Sequence, residues 1–184
     1  MDHYYSNITG AFTFPNLYYS AVCDFNNAKF VEIGCDKGQS FSFLGVEIIN
    51  QNKNIELYAV DTWGDNIVSW NSSDEIYNTF LKNISPIQEV LNDKIKIIRS
   101  YSVEASTKFE DKSLDFIFID ACHEYECVIV DLNAWFPKLK PGGWIAGHDY
   151  YAGHYGVEKA VNEFFYGNMD KLYSQEYCWV YYSR

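Results

Sequence analysis

The stretch Phe30-Val31-Glu32-Ile33-Gly34-Cys35-Asp36-Lys37-Gly38-Gln39-Ser40 decides how the chain is read. A mostly apolar run from Ala28, interrupted by Lys29 and Glu32, stops at Gly34 as a strand does, and Phe43, Val46, Glu47 and Ile49 then recur at helical spacing over residues 39–50. Working outward, the same alternation repeats. Strands are predicted over residues 55–60, 94–99, 114–119 and 144–146, the run at 114–119 being almost continuously apolar, as in a strand buried on both faces. Between them, helices are predicted at about 74–83, 85–91 with Pro86 in the first turn, 102–109 and 124–136, the last ended by Pro137 and by Pro141-Gly142-Gly143. A helix over 157–165 and short strands near 171–174 and 177–182 follow. This order predicts a single α/β domain with a doubly wound, mostly parallel, Rossmann-like sheet, right-handed crossovers and helices on both faces.

The chain has 184 residues, a length that one core serves, so a second folded domain is excluded. Residues 1–27, rich in Tyr, Phe and Asn, read as an N-terminal aromatic arm of the same domain, with one short helix over 16–24; residues 28–184 form its body. Fourteen basic against 25 acidic residues give a net charge of −11, and no basic cluster could track a phosphate backbone, which excludes nucleic acid and anionic membranes as partners. Five cysteines, an odd number without C-x-x-C spacing, point to reduced thiols in a cytoplasmic setting. There is no leader pattern and no apolar run of membrane-spanning length. The glycosylation patterns at Asn7, Asn71 and Asn83 are accordingly set aside.

Parallel sheets of this kind bind ligands beyond the carboxyl ends of their strands, so Gly34, Asp61, Ser100, Asp120 and His148-Asp149 are the positions to weigh. Gly34 and Gly38 let the backbone turn sharply and approach a ligand, and the helix that follows offers unpaired N–H groups to an anion. The dinucleotide pattern G-x-G-x-x-G is absent, which disfavours an oxidoreductase. Glu32 is too costly to bury alone: either it accepts hydrogen bonds from a ligand or loop, or it pairs with a lysine. Asp61 stands where such sheets place the acid that takes ribose hydroxyls. Asp120, His148 and Asp149, on neighbouring strand ends, form a credible divalent-metal site, although His148 could instead bond a backbone carbonyl.

Together with Val60-Asp61-Thr62-Trp63, the stretch Asp115-Phe116-Ile117-Phe118-Ile119-Asp120-Ala121-Cys122-His123-Glu124-Tyr125 and the stretch from Leu139-Lys140-Pro141-Gly142-Gly143 to Gly147-His148-Asp149-Tyr150, the opening motif resembles class I S-adenosylmethionine-dependent methyltransferases. Within that class the likeness is to the small branch of catechol and macrocin O-methyltransferases, and it covers about residues 28–165 in the family's own order. The resemblance implies that Gly34 and Gly38 pass under the methionine part of S-adenosylmethionine, that Ser40 binds its carboxylate, that Asp61 takes the ribose and that Ser102 contacts the adenine. It places Glu32 and Asp120 beside the cofactor too, and Trp63 either there or as a structural aromatic. The family often has a glycine where Asp36 stands. Asp120, His148 and Asp149 match the branch's metal-ligand positions, for Mg or Mn first, with Fe or Zn as alternatives because an imidazole suits these better than it suits Mg.

His123 matches the family's general base, at a helix start that would favour a neutral imidazole; the alternative is a solvated histidine. The function implied is a metal-assisted O-methyltransferase acting on a small-molecule acceptor, a sugar-like vicinal diol before a catechol. The competing readings are a catalytically silent cofactor-binding module and a metal-independent methyltransferase acting on another nucleophile. Acceptor recognition is expected from the arm (Tyr4, Tyr5, Phe12, Phe14, Tyr18) and the loops 61–74 and 149–156, unless the arm packs on a second subunit in a homodimer.

Overall fold

A computed structural model describes residues 1–64 and 73–183. Residues 65–72, which include Trp70 of the loop expected to face the acceptor and Asn71, lie outside the described residues. The elements in chain order are α1 (Pro15–Asp24), β1 (Ala28–Ile33), α2 (Gln39–Asn50), β2 (Ile55–Asp61), α3 (Ser73–Leu91), β3 (Ile95–Arg99) and α4 (Ser102–Ser106). They continue with β4 (Leu114–Ile119), α5 (Tyr125–Trp135), β5 (Leu139–Gly147), α6 (Tyr155–Phe164), β6 (Leu172–Gln175) and β7 (Cys178–Tyr182). The sheet order is β3-β2-β1-β4-β5-β7-β6. β1 to β5 are mutually parallel, while β7 runs antiparallel to both β5 and β6.

Strand alternation builds a core on each side of the sheet. Phe30, Phe116, Phe118 and Trp144 face α1, α2 and α3, whereas Val31, Ile117, Ile119 and Ile145 face α5 and α6, with every one of these side chains buried. Much of the aromatic content is core: Phe14, Tyr18, Phe116 and Phe118 pack as one cluster with ring centroids 4.6–6.3 Å apart. The arm packs on its own sheet, and Phe14 and Tyr18 are fully buried there. The hairpin between β6 and β7 holds it down, because Glu176 accepts bonds from Asn16 Nδ2 (2.5 Å) and Leu17 N (3.3 Å) in the first turn of α1.

Several ends shift by one to three residues, α4 for example stopping at Ser106 and not at 109, and two elements are organised differently from the sequence reading. The two helices expected over 74–83 and 85–91 are one, α3, which runs through Pro86. Pro86 has no N–H for the Lys82 carbonyl, and the Ser85 hydroxyl donates to that oxygen instead, at 2.9 Å. β5 begins at Leu139, not Trp144, because Pro141-Gly142-Gly143 forms an irregularity within the strand, where the pairing with β4 shifts register and Gly142 has φ +84°. Among the described residues no helix is long and apolar enough to cross a membrane.

Candidate active site

β1 leads to β2 and β3 on one side, while β4 and β5 lie on the other, so a crevice opens where the C-terminal ends of β1 and β4 diverge. A cavity of about 780 Å³ occupies it. Gly34 closes its floor: φ is +88°, and a Cβ there would stand 2.0 Å from the Asp120 carbonyl oxygen. Only glycine permits that approach. Asp36 has φ +43°, a left-handed backbone that Asp tolerates better than most residues, which explains how it stands where the family often has glycine. Gly38, at φ +82°, enters α2 without a side-chain cap, so the first N–H groups of that helix remain available to an anion.

Asp61 ties this turn together. One carboxylate oxygen accepts from the N–H groups of Cys35 (2.8 Å) and Asp36 (2.9 Å), and the other from Trp63 N (2.8 Å). A carboxylate has about four acceptor sites, so capacity remains for a ligand. Trp63 is buried against Tyr77 and Phe80, and its Nε1 donates to the Asp36 carbonyl at 2.9 Å; of the two roles open to it, the structural one is visible, although its edge lines the cavity. Among the described residues no lysine pairs with Glu32. Ser40 Oγ donates to it at 2.5 Å, its other oxygen is buried without a well-formed hydrogen bond among the described residues, and burial pushes its carboxyl up to about 8, against the Ser40 and Tyr18 hydroxyls. Ser40 lines the cavity and Glu32 does not, so Glu32 lies one step behind the position expected for it.

At the opposite end, Ser102 lines the cavity and accepts a bond from Trp135 Nε1 at 2.9 Å. Beside it is Asp131, a residue the sequence reading missed. It is buried, lines the cavity and is pushed by burial up to about 6, against a bond from Ser102. The available signal was an acid three residues after Val128 and four before Trp135, inside the apolar stripe of α5.

Asp120, His148 and Asp149 do come together: one ligand atom from each lies within 4.8 Å of the others. His148 Nδ1 is 3.2 Å from Asp149 Oδ1 and 3.9 Å from Asp120 Oδ1, while its Nε2 is 2.9 Å from the Thr13 hydroxyl. The backbone-carbonyl alternative for His148 is therefore not the one adopted. Thr13, from the arm, engages Nε2 and leaves Nδ1 directed at the two acids. Of the arm residues expected at the site, Phe12 and Phe14 line the cavity; Tyr4, Tyr5 and Tyr18 do not.

His123 stands immediately before Glu124, the N-cap of α5, at the helix start expected for it. Its Nε2 lies 3.9 Å from Asp120 Oδ1 and 2.7 Å from Asp149 Oδ2, and these two carboxylates push it up to about 10. With both acids bare the imidazole is cationic at neutral pH, which corrects the neutral form expected from the helix terminus. Asp149 moves the other way: partial burial opposes it, but His123 and His148 hold it well below the usual carboxylate range. His154, unforeseen in the sequence, also reaches Asp149, with Nε2 3.8 Å from Oδ1.

A family model described as a methyltransferase domain matches residues 31–150, well over half of the chain. The chain belongs to this family of methyltransferase domains. Its fold is shared by the O-methyltransferase NovP, at a TM-score of 0.72 and 14% identity over 91% of this chain and 78% of that one. It is shared equally by CalS11, a TDP-rhamnose 3'-O-methyltransferase, at a TM-score of 0.66 and 14% identity over 91% and 76%. A curated relative, the uncharacterized protein y4gI of Sinorhizobium fredii (strain NBRC 101917 / NGR234), is 28% identical over 121 residues, 66% of this chain; the chain spans 13% of that protein's length.

The methyltransferase crevice fits its cofactor chemically. Uncapped N–H groups at α2 suit a carboxylate, Asp61 suits hydroxyls, and Val103 and Val130 give apolar walls to the end where Ser102 and Asp131 meet. Two carboxylates and an imidazole nitrogen likewise suit a divalent ion at Asp120, His148 and Asp149.

Proposed function

We propose that this methyltransferase methylates a hydroxyl oxygen of a small acceptor bearing two neighbouring oxygens, assisted by a divalent ion held by Asp120, His148 and Asp149. The observation that carries this reading is the convergence of those three donors and His123 on the same cavity as the Gly34–Gly38 turn. Bound S-adenosylmethionine supplies a methyl group on a sulfonium sulfur, and a bound divalent ion supplies a Lewis acid that lowers the pKa of a hydroxyl. The chain's residues do the rest. Uncapped N–H groups at the start of α2, that of Ser40 among them, hold a carboxylate while the Ser40 hydroxyl stays on Glu32, Asp61 holds ribose hydroxyls, and Ser102 with Asp131 meets the adenine. His123 accepts the acceptor's proton at Nε2 once Asp120 and Asp149 are neutralised, since those carboxylates alone keep it protonated. Holding both reactants in one cavity contributes by proximity, a term that reaches roughly 7–11 kcal/mol in well-oriented systems.

Phe12 and Phe14 wall the acceptor side, and flat aromatic faces with a paired-oxygen anchor favour a sugar-like vicinal diol, with a catechol second. The sugar acceptor in the name of CalS11 supports the same order. A metal-independent route has one observation in its favour, the direct 2.7 Å contact of His123 with Asp149. A catalytically silent module would need neither His123 nor the ligand cluster.

Calorimetric titration with S-adenosylhomocysteine, in Mn²⁺ and in chelator, tests the reading. Expected are micromolar binding lost in Asp61→Ala and a separate Mn²⁺ isotherm lost in Asp149→Ala. Product binding without any metal isotherm would select the metal-independent route, and absence of product binding would overturn the cofactor site.

A further inference from the structure

His123, Asp149 and His154 form a second group of donors, adjoining the first. The two clusters share only Asp149. Its Oδ2 faces His123 Nε2 at 2.7 Å, and its Oδ1 faces both His154 Nε2 at 3.8 Å and His148 Nδ1 at 3.2 Å, so imidazole nitrogens stand at both oxygens of the carboxylate. The two rings lie with centroids 4.6 Å apart, and the ligand atoms of all three residues fall within 4.8 Å of one another. All three side chains line the cavity, which leaves solvent access on the open side.

The backbone is shaped to bring these rings together. His123 sits in the β4–α5 loop and His154 is the N-cap of α6, thirty-one positions apart in sequence. They meet because Gly156 packs on the His123–Tyr125 backbone so closely that a Cβ there would stand 2.4 Å from the His123 carbonyl oxygen and 2.7 Å from Tyr125 N. Asp149, between them, is held at φ +62°, a conformation few non-glycine residues adopt.

We propose that His123, Asp149 and His154 are a second cation position, suited to a borderline transition-metal ion such as Zn²⁺, Ni²⁺ or Co²⁺ and not to Mg²⁺. Two imidazoles and one carboxylate with open coordination positions match the former class, whereas Mg²⁺ keeps to oxygen ligands and water. Occupation of this position engages His123 Nε2, the atom assigned to take the acceptor's proton. Binding here does not depend on the proposed function; the consequence does rest on it, and is that micromolar Zn²⁺ or Ni²⁺ inhibits turnover supported by Mg²⁺ or Mn²⁺.

Co²⁺ titration of the full chain, followed by visible absorption and calorimetry, tests the site in wild type, in His154→Gln and in Asp120→Asn/His148→Gln. His154 has 44% of its side chain exposed, so its substitution leaves the fold intact, which circular dichroism checks. The expected result is one Co²⁺ retained in Asp120→Asn/His148→Gln and a loss of at least about tenfold in affinity for that ion when His154→Gln is added, a scale on which even outer partners of metal ligands act. Unchanged Co²⁺ binding in His154→Gln, or complete loss in Asp120→Asn/His148→Gln, overturns the second position. If Asp120→Asn/His148→Gln binds the same number of ions as wild type, the first position falls and the second stands.

Discussion

Gly34 answers two demands at one position, a left-handed backbone and a carbonyl where a side chain would begin. Gly34→Ala should therefore cost roughly 2–5 kcal/mol in denaturant unfolding, through overpacking and backbone strain together. Thr13 acts at the far side of the cavity by occupying His148 Nε2. Thr13→Val keeps the shape and removes the bond, and should weaken Mn²⁺ binding about 10–100-fold by calorimetry, while Thr13→Ser restores it. Equal affinities in all three proteins would assign the Thr13 bond no role in presenting Nδ1. At this scale the sequence exposed what ends a strand: Gly34, Asp61, Asp120 and His148-Asp149 could be found because each follows an apolar run. Thr13 and His154 could not, because their meaning comes from partners such as His148, 135 positions from Thr13, that local pattern does not reveal, whereas Asp131 left only the signal of an acid within an apolar stripe.

Helix α3 shows how a local rule can be met by a neighbour. Proline reads as a boundary because it removes a donor and crowds the preceding turn, yet Ser85 supplies a replacement donor to Lys82 and Ile84 and Ile87 on either side are buried in the core. Pro86→Ala restores the backbone donor and should raise stability by roughly 1–3 kcal/mol, read as a higher midpoint in thermal unfolding. A lower midpoint would show that the ring's packing outweighs the missing bond. The other elements were legible in type because the period switches cleanly between strand and helix, and only their ends were not. In β5 the Pro141-Gly142-Gly143 segment reads as a turn, while the sheet accepts it as an irregularity beside β4.

For the molecule as a whole, buried acids set the pH response. Glu32, pushed by burial from 4.5 to about 8, and Asp131, pushed from 3.8 to about 6, keep protons in the fold that the unfolded chain has released. Their contribution is complete below about pH 4 and is lost as pH rises, through about 6 for Asp131 and about 8 for Glu32. Asp149 works in the opposite direction, since its carboxyl is held low in the fold and its share is lost on acidification. In chelator, the thermal midpoint of wild type should fall more steeply between pH 5 and 8 than that of Glu32→Gln. Parallel profiles would mean that Glu32 ionises in the fold as it does in water.

The grip of Glu176 on the first turn of α1 bears on the order in which the chain becomes competent during synthesis. Thr13 reaches His148 from an arm whose helix is fastened by a hairpin 160 positions later. A nascent chain can pair β1, β2 and β3 early and pack Phe14 on Phe118 once β4 is made, but Asn16 and Leu17 gain the Glu176 carboxylate only after residue 176 has left the ribosome. Long-range closures of this kind are slow steps in folding. The hold on the arm that brings Thr13 to His148 is thus completed late, together with the last two strands of the sheet.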